Sequence, residues 1–266
     1  NKKTYIIAEA GVNHNGNINI ARKLILQAKK AGADAVKFQI FKTSNIVTKS
    51  ASQAPYQMKN MKKKENQFQM LKRYELNYKK YFMLKNYCKK IKIDFMCSVF
   101  DENSINFLIK KLHSNVVKVP SGEINNVLIL RNLKLSHYKI LISTGMSNYM
   151  DITNAINTIA RKKVYKLFNS RPIICNKKLY KKIKKKICIM HCVTDYPVQK
   201  AHANLECVLK IKKDFNLVTG YSDHTLGTLA PLIAVSKGAK IIEKHFTLNR
   251  KMKGPDHLAS LEMKEF

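Results

Sequence analysis

No run of apolar residues in this 266-residue sequence approaches the roughly 18 that a spanning helix needs, so a helical membrane protein is excluded. Acidic residues are scarce: 17 Asp and Glu stand against 50 Lys and Arg, a formal net charge of +33. An excess of that size suits a protein that meets nucleic acid, an anionic membrane surface or an anionic substrate. It also arises from plain compositional drift toward Lys, Asn and Ile. No RNP-like aromatic motif, zinc-finger spacing or helix-turn-helix pattern accompanies the charge, which removes the common nucleic-acid modules. Nonspecific binding to polyanions is expected of almost any protein this basic. The six cysteines (Cys88, Cys97, Cys175, Cys188, Cys192 and Cys207) include no CxxC pair, and a chain this long needs no disulfide staples. They are read as free, mostly buried thiols in a reducing compartment, hence a cytoplasmic location. Hydrophobic residues nevertheless reach 45%, enough for a sizeable core and against wholesale disorder.

What is present is a rhythm. Short apolar runs at 5–10, 35–40, 93–98, 116–119, 139–143, 187–192, 217–221 and 240–245 read as strands. Between them, amphipathic stretches at 18–30, 78–90, 102–112, 127–133, 151–161, 205–214 and 227–237 read as helices. The strands have no wet face, as expected of parallel strands covered on both sides. Eight such units over this length predict an α/β fold of the (β/α)8 TIM-barrel type, one domain spanning 1–266. The sequence stops before a full eighth helix, which is read as truncated at the C-terminus. A doubly wound open sheet is the rival architecture, but AGVNHNG at 10–16 is not its usual GxGxxG loop.

Two segments break the rhythm. Residues 43–77 are long and polar, which suggests an active-site loop with short helical pieces. Residues 161–186 hold twelve Lys and Arg and no acid, and are expected to be a solvated basic insert on the amino-terminal face. Without that insert 38 bases still face 17 acids, so the charge is spread along the chain.

A barrel of this kind builds its site at the carboxyl ends of its strands. Polar residues gather there: Glu9, Lys37 and Gln39, Ser98, Lys118 with Ser121 and Glu123, Ser143, Thr194 to Tyr196, Ser222 and His224, and Glu243 with His245. A spacing of two points side chains the same way along a strand, which pairs Lys37 with Gln39 and Glu243 with His245. Lys37 and Lys118 interrupt apolar strands, where an unpaired ammonium is costly, and inward lysines of this kind suggest an anionic ligand. Ser98, Ser121, Ser143 and Ser222 add neutral donors suited to phosphate oxygens. Glu9 and Glu123 are either an acid/base pair or counter-charges. His224 and His245, on the last two strands, are either hydrogen-bonded structural residues or the protein ligands of a divalent metal with open positions. His113, His137 and His202 read as structural or exposed.

At these residues the sequence resembles the sialic acid synthase family, the N-acylneuraminate and legionaminate synthases. The matching stretches are IIAEAGVNHNG (6–16), GADAVKFQ (32–39), KVPSGEI (118–124), ISTGM (142–146), GYSDHTLG (220–227) and IEKHFTLNRKMKGPDH (242–257), in the family's order. APYQ at 54–57 with residues 66–76 looks like the family's second long loop. The resemblance implies condensation of phosphoenolpyruvate with an N-acylated mannosamine-type aldose to a nine-carbon 2-keto acid and phosphate. It implies a divalent metal, Mn²⁺ before Mg²⁺ or Co²⁺, on His224 and His245. Phosphoenolpyruvate contacts would come from Lys37, Ser98, Lys118, Ser121, Ser143 and Ser222. Sugar contacts would come from Gln39, Glu123, Tyr196 and Asp256, with Glu9 and Glu123 as the acid/base carboxylates. Departures are Ser98-Val99-Phe100, where the family usually has Thr-Pro-Phe, and Val193, where a polar residue is commoner. The resemblance also implies a homodimer in which a small antifreeze-like C-terminal domain lends an arginine to the partner's sugar site; that domain is expected to be absent from residues 1–266. Two rival functions are a Schiff-base aldolase, which typically needs a lysine in the sixth strand that 187–192 does not have, and a polyanion- or nucleic-acid-binding barrel with an impaired site.

Overall fold

A computed structural model describes residues 3–61 and 65–266. Its strands, in chain order, are β1 (Tyr5–Gly11), β2 (Ala35–Ile40), β3 (Asp94–Val99), β4 (Val116–Val119), β5 (Lys139–Ser143), β6 (Tyr165–Phe168), β7 (Arg171–Ile174), β8 (Ile187–His191), β9 (Val218–Asp223) and β10 (Ile241–His245). All but β6 and β7 close into one parallel barrel, in the order β1-β10-β9-β8-β5-β4-β3-β2. The expected (β/α)8 barrel is the observed fold. Around it run α1 (Ile18–Lys30), α2 (Thr43–Ile46), α3 (Pro55–Met61), α4 (Gln67–Tyr74), α5 (Tyr78–Ile91), α6 (Glu102–Lys110), α7 (Val127–Asn132), α8 (Tyr149–Ala160), α9 (Lys177–Ile183), α10 (Glu206–Phe215) and α11 (Leu229–Ser236).

The helices form where an amphipathic stripe meets a cap. In α1 the Asn17 side chain accepts from the amides of Asn19 and Ile20, and Ala21, Leu24, Ile25 and Ala28 make the buried stripe. In α8 Asn148 and Asp151 cap each other's backbone reciprocally. These stripes pack on the outward strand residues, among them Ala8, Val36, Phe38, Cys97, Val117, Ile140 and Ile189. Inside the barrel, Ile7, Ala35, Met96, Leu141, Cys188 and Met190 plug the amino-terminal end. Gly220 lets the plug close, because a Cβ there would lie 2.4 Å from the Met190 sulfur. Two residues further along, the same inward face turns polar, at Glu9, Lys37, Ser98 and Ser143. The alternation therefore puts an apolar stopper below and charge above.

The segment 43–77 folds, as expected, into short helices, α2 to α4, over the barrel mouth. The basic insert differs from expectation. It does lead from α8 to the start of β8 on the amino-terminal side, but it is not a solvated excursion. Strands β6 and β7 form an antiparallel hairpin, turned at Asn169 and Ser170, both at positive φ, and α9 follows. Val164, Tyr165 and Ile183 are buried, and the Tyr165 hydroxyl donates to the Phe215 carbonyl at 2.6 Å. The reason is amphipathicity: one apolar face docks on α8 and α10 while the lysines stay in water. After β10 the chain makes a 3-10 turn, His257–Ala259, and among the described residues no eighth barrel helix follows. All six cysteines are free, with Cys88, Cys97, Cys188 and Cys192 buried. Among the described residues no helix is long and apolar enough to cross a membrane.

Candidate active site

The candidate residues from the sequence, the exposed Asp195 excepted, line a single cavity of about 320 Å³ at the carboxyl end of the barrel. That covers Glu9, Lys37, Gln39, Ser98, Lys118, Ser121, Glu123, Ser143, Tyr196, Ser222, His224, His245 and Asp256. His113, His137 and His202 are exposed elsewhere.

The floor is a buried charge lattice. Lys37 donates to Ser98 Oγ at 2.6 Å and lies 2.7 Å from Glu9 Oε2 and 3.6 Å from Glu243 Oε2. Lys118 donates to both Glu243 oxygens, at 2.7 and 2.9 Å, and the Ser222 hydroxyl adds a third donor at 2.7 Å. Burial alone would raise Glu243, but Lys118, Lys37 and these hydrogen bonds outweigh it and hold the carboxyl well below its usual range. Glu9 goes the other way: burial raises its pKa, with Lys37 only partly opposing. For Lys37, burial favours the neutral amine, yet Glu243 and Glu9 outweigh it and raise its pKa. Two cations thus share the floor with one firmly ionised carboxylate and one that holds a proton more readily. The Ser143 hydroxyl is buried there without a partner. An oxyanion fits this surplus of donors.

The wall holds two imidazoles. His224 Nδ1 donates to the Val193 carbonyl at 2.6 Å, which leaves Nε2 as the lone-pair nitrogen. His245 Nδ1 is buried without a partner. Burial lowers both, His224 to about 4, so both rings are neutral and their centroids lie 5.5 Å apart. An orphaned ring nitrogen beside a second neutral imidazole fits a divalent cation. Among the described residues no cluster of three or more His, Cys, Asp or Glu is arranged for a metal, so an ion here would keep positions for water or substrate. On the outer side of β9 and β10, Lys244 pairs with Asp223 Oδ2 at 2.5 Å and donates to the Thr225 carbonyl, tying the two histidine-bearing strand ends together.

The mouth is lined by Tyr196, whose ring lies 4.1 Å from His224 and 5.0 Å from Tyr56 of α3. Glu123 sits in the short 3-10 turn after β4 and accepts from Asn126 at 2.7 Å; burial raises its pKa despite that bond. Asp256 is raised to about 7, first by burial and then by Glu9. Ser121 Oγ accepts from the Gly145 amide at 2.9 Å and lies 2.9 Å from Cys192 Sγ. Only glycine fits at 145, since a Cβ would come 2.3 Å from Thr194 Oγ1 and 2.9 Å from Ser121 Oγ.

Sequence reasoning missed Glu243 as the hub of the floor and Tyr56 as part of the wall. Two inward lysines imply nearby carboxylates, and Glu243 shares a face with His245, so the signal for Glu243 was present. Tyr56 lies on α3, a helix of 7 residues, too short to leave a period in the sequence.

Residues 24–266 match the NeuB family. Over 264 residues the chain is 42% identical to the N,N'-diacetyllegionaminic acid synthase of Campylobacter jejuni, covering 99% of this chain and 73% of that protein. The protein of the same name from Legionella pneumophila is 40% identical over 261 residues, 98% of this chain and 68% of its own length. Among solved structures, the N-acetylneuraminic acid (sialic acid) synthetase of Leptospira borgpetersenii superposes with a TM-score of 0.79 at 30% identity, covering 99% of this chain and 80% of that one. The family match, these two synthases and the shared barrel agree with the motifs around the cavity, and the chain belongs to the NeuB family.

Proposed function

We propose that this barrel condenses phosphoenolpyruvate with an N-acylated mannosamine-type aldose, releasing phosphate by C–O cleavage and forming a nine-carbon 2-keto acid. The aldose would be N-acetylmannosamine, its 6-phosphate or a 2,4-diacetamido analogue. The observation that supports this most is the cavity floor: Lys37, Lys118 and several serine hydroxyls converge beside two neutral imidazoles.

On this reading Lys37, Ser98, Lys118, Ser121, Ser143 and Ser222 hold the phosphate and carboxylate of phosphoenolpyruvate. Held still, the donor presents C3 to the aldehyde carbon of the sugar. Gln39, Glu123, Tyr196 and Asp256 orient the sugar's hydroxyl and N-acyl groups. His224 and His245 would hold a divalent ion, manganese first and magnesium or cobalt otherwise, and such an ion would supply Lewis acidity for the aldehyde. As the C3–C1 bond forms, positive charge develops at C2. Glu9 or Glu123 stabilises it and takes a proton from the water that adds there. The resulting C2 adduct expels phosphate with its bridging oxygen as the C2 hydroxyl proton passes to that oxygen, leaving the keto group, and the proton taken from water balances the one that the former aldehyde oxygen gains. Burial raises the Glu9 pKa while Lys37 opposes the rise, and a carboxyl pulled both ways is suited to proton traffic.

The direct test is phosphate release from phosphoenolpyruvate with a panel of candidate aldoses, with and without a chelator. The reading expects release that needs both an N-acyl aldose and a divalent ion, and His224→Ala and His245→Ala proteins that no longer bind Mn²⁺ in calorimetry. Aldose-independent release, or turnover that survives chelation, would contradict it.

A further inference from the structure

Asp256 reaches the cavity from an irregular segment, residues 247–260, which has no strand or long helix to hold it. What holds it is the turn that leaves β1. Asn15 Nδ2 donates to the Lys253 carbonyl at 3.0 Å, and Asn15 Oδ1 faces His257 Nε2 at 3.3 Å. A carbonyl only accepts, so the bond to Lys253 fixes which way the Asn15 amide points, and Nε2 of His257 must then carry the ring hydrogen. Its Nδ1 is left to accept from the Thr247 hydroxyl at 2.7 Å. The ring is thus pinned on both edges, and it is fully buried.

Neighbouring contacts close the same segment. Asn13 Nδ2 donates to the Phe246 carbonyl at 3.0 Å and to Ser260 Oγ at 2.9 Å, and Ser260 Oγ in turn donates to the carbonyl of Asp256 at 2.7 Å. From the long loop, Asn60 Nδ2 donates to the Pro255 carbonyl at 2.7 Å. Gly254 allows the approach, since a Cβ there would lie 2.6 Å from His257 Cδ2 and 3.1 Å from Asn15 Oδ1. The Phe246 amide also bonds the Glu9 carbonyl at 2.8 Å, so the turn that carries the clasp continues from the strand that carries Glu9.

We infer that Asn15 and His257 form a clasp that positions Asp256 against the bound aldose, making both of them positioning residues for the sugar half of the reaction. None of the clasp side chains lines the cavity; they act through the segment they hold. This rests on the synthase reading for its substrate, but the clasp itself is a statement about the 253–260 backbone.

The test uses Asn15→Gly, because residue 15 has φ +50 and glycine tolerates that conformation, and Asn15→Asp, which keeps the acceptor toward His257 and loses the donor toward Lys253. Hydrogen exchange and steady-state kinetics are measured on the whole chain. The clasp predicts exchange at residues 253–260 roughly tenfold faster in Asn15→Gly, with β1 and β10 amides unchanged. It also predicts an aldose KM raised about tenfold with the phosphoenolpyruvate KM within about twofold, and Asn15→Asp in between. Unchanged exchange, faster exchange with an unmoved aldose KM, or both KM values rising together with loss of strand protection would overturn it. If the wild-type chain released no phosphate with any aldose, the synthase reading would fall, while the exchange data would still decide the clasp.

Discussion

Lys118 donates to both oxygens of Glu243, so in the proposed reaction an arriving phosphate competes with a carboxylate already in place. Removing that lysine takes away charge the proposed donor needs and leaves Glu243 with Ser222 and Lys37. Lys118→Ala should raise the phosphoenolpyruvate KM roughly 10- to 100-fold, the worth of one or two charge-assisted hydrogen bonds. Glu123→Gln keeps the shape and the Asn126 contact but loses the base, and should lower kcat about 100-fold with smaller changes in KM. Initial-rate kinetics on both variants check the split. At the same scale His14 is fully buried, with Nδ1 accepting from the Gly16 amide at 2.9 Å, and burial pushes its pKa down to about 4. Unfolded, it would titrate near 6.5, so between pH 4 and 6.5 the unfolded chain binds the extra proton. The neutral ring therefore contributes stability above pH 6.5 that is lost as the pH falls toward 4. His14→Gln should shrink the loss of stability between pH 7 and 5 by about 2 kcal/mol, read from urea midpoints at the two pH values. The site residues were legible because strand alternation and misplaced lysines leave marks in the sequence. The pairing of Lys118 with Glu243, 125 positions apart, is set by barrel closure, which no local pattern contains.

Among the elements, the basic insert shows how a dense charge run hides structure. Its hairpin turns on Asn169 and Ser170 rather than on a glycine, and its few apolar residues are scattered among lysines, so neither turn nor periodicity stands out. Yet Tyr165 is buried, stacks edge-on to Phe215 at 5.4 Å and donates to its carbonyl. Tyr165→Ala should cost about 3–5 kcal/mol in chemical denaturation, as large aromatic truncations in a core do. Tyr165→Phe should cost only about 1 kcal/mol, one hydrogen bond. Both should leave the phosphoenolpyruvate KM within about twofold, since the insert lies at the end of the barrel away from the cavity. A large rise in that KM would show the insert reaching the mouth.

Over the whole molecule, the parallel barrel followed from eight apolar strands too dry to have a solvent face, and the polar ring at their carboxyl ends followed from the fold. The irregular pieces, α2 to α4 and the segment after β10, supply Tyr56 and Asp256 and carry no period, so their reach into the cavity emerged only from the closed structure. The central claim is that charge develops at carbon in a site whose cations hold phosphate still. Phosphoenolpyruvate labelled with ¹⁸O in its bridging position, turned over with an accepted aldose, tests it directly by mass spectrometry of both products. The account predicts that the label leaves with phosphate, because the C2–O bond breaks. Label retained in the keto acid would mean P–O cleavage, and would contradict the proposed condensation.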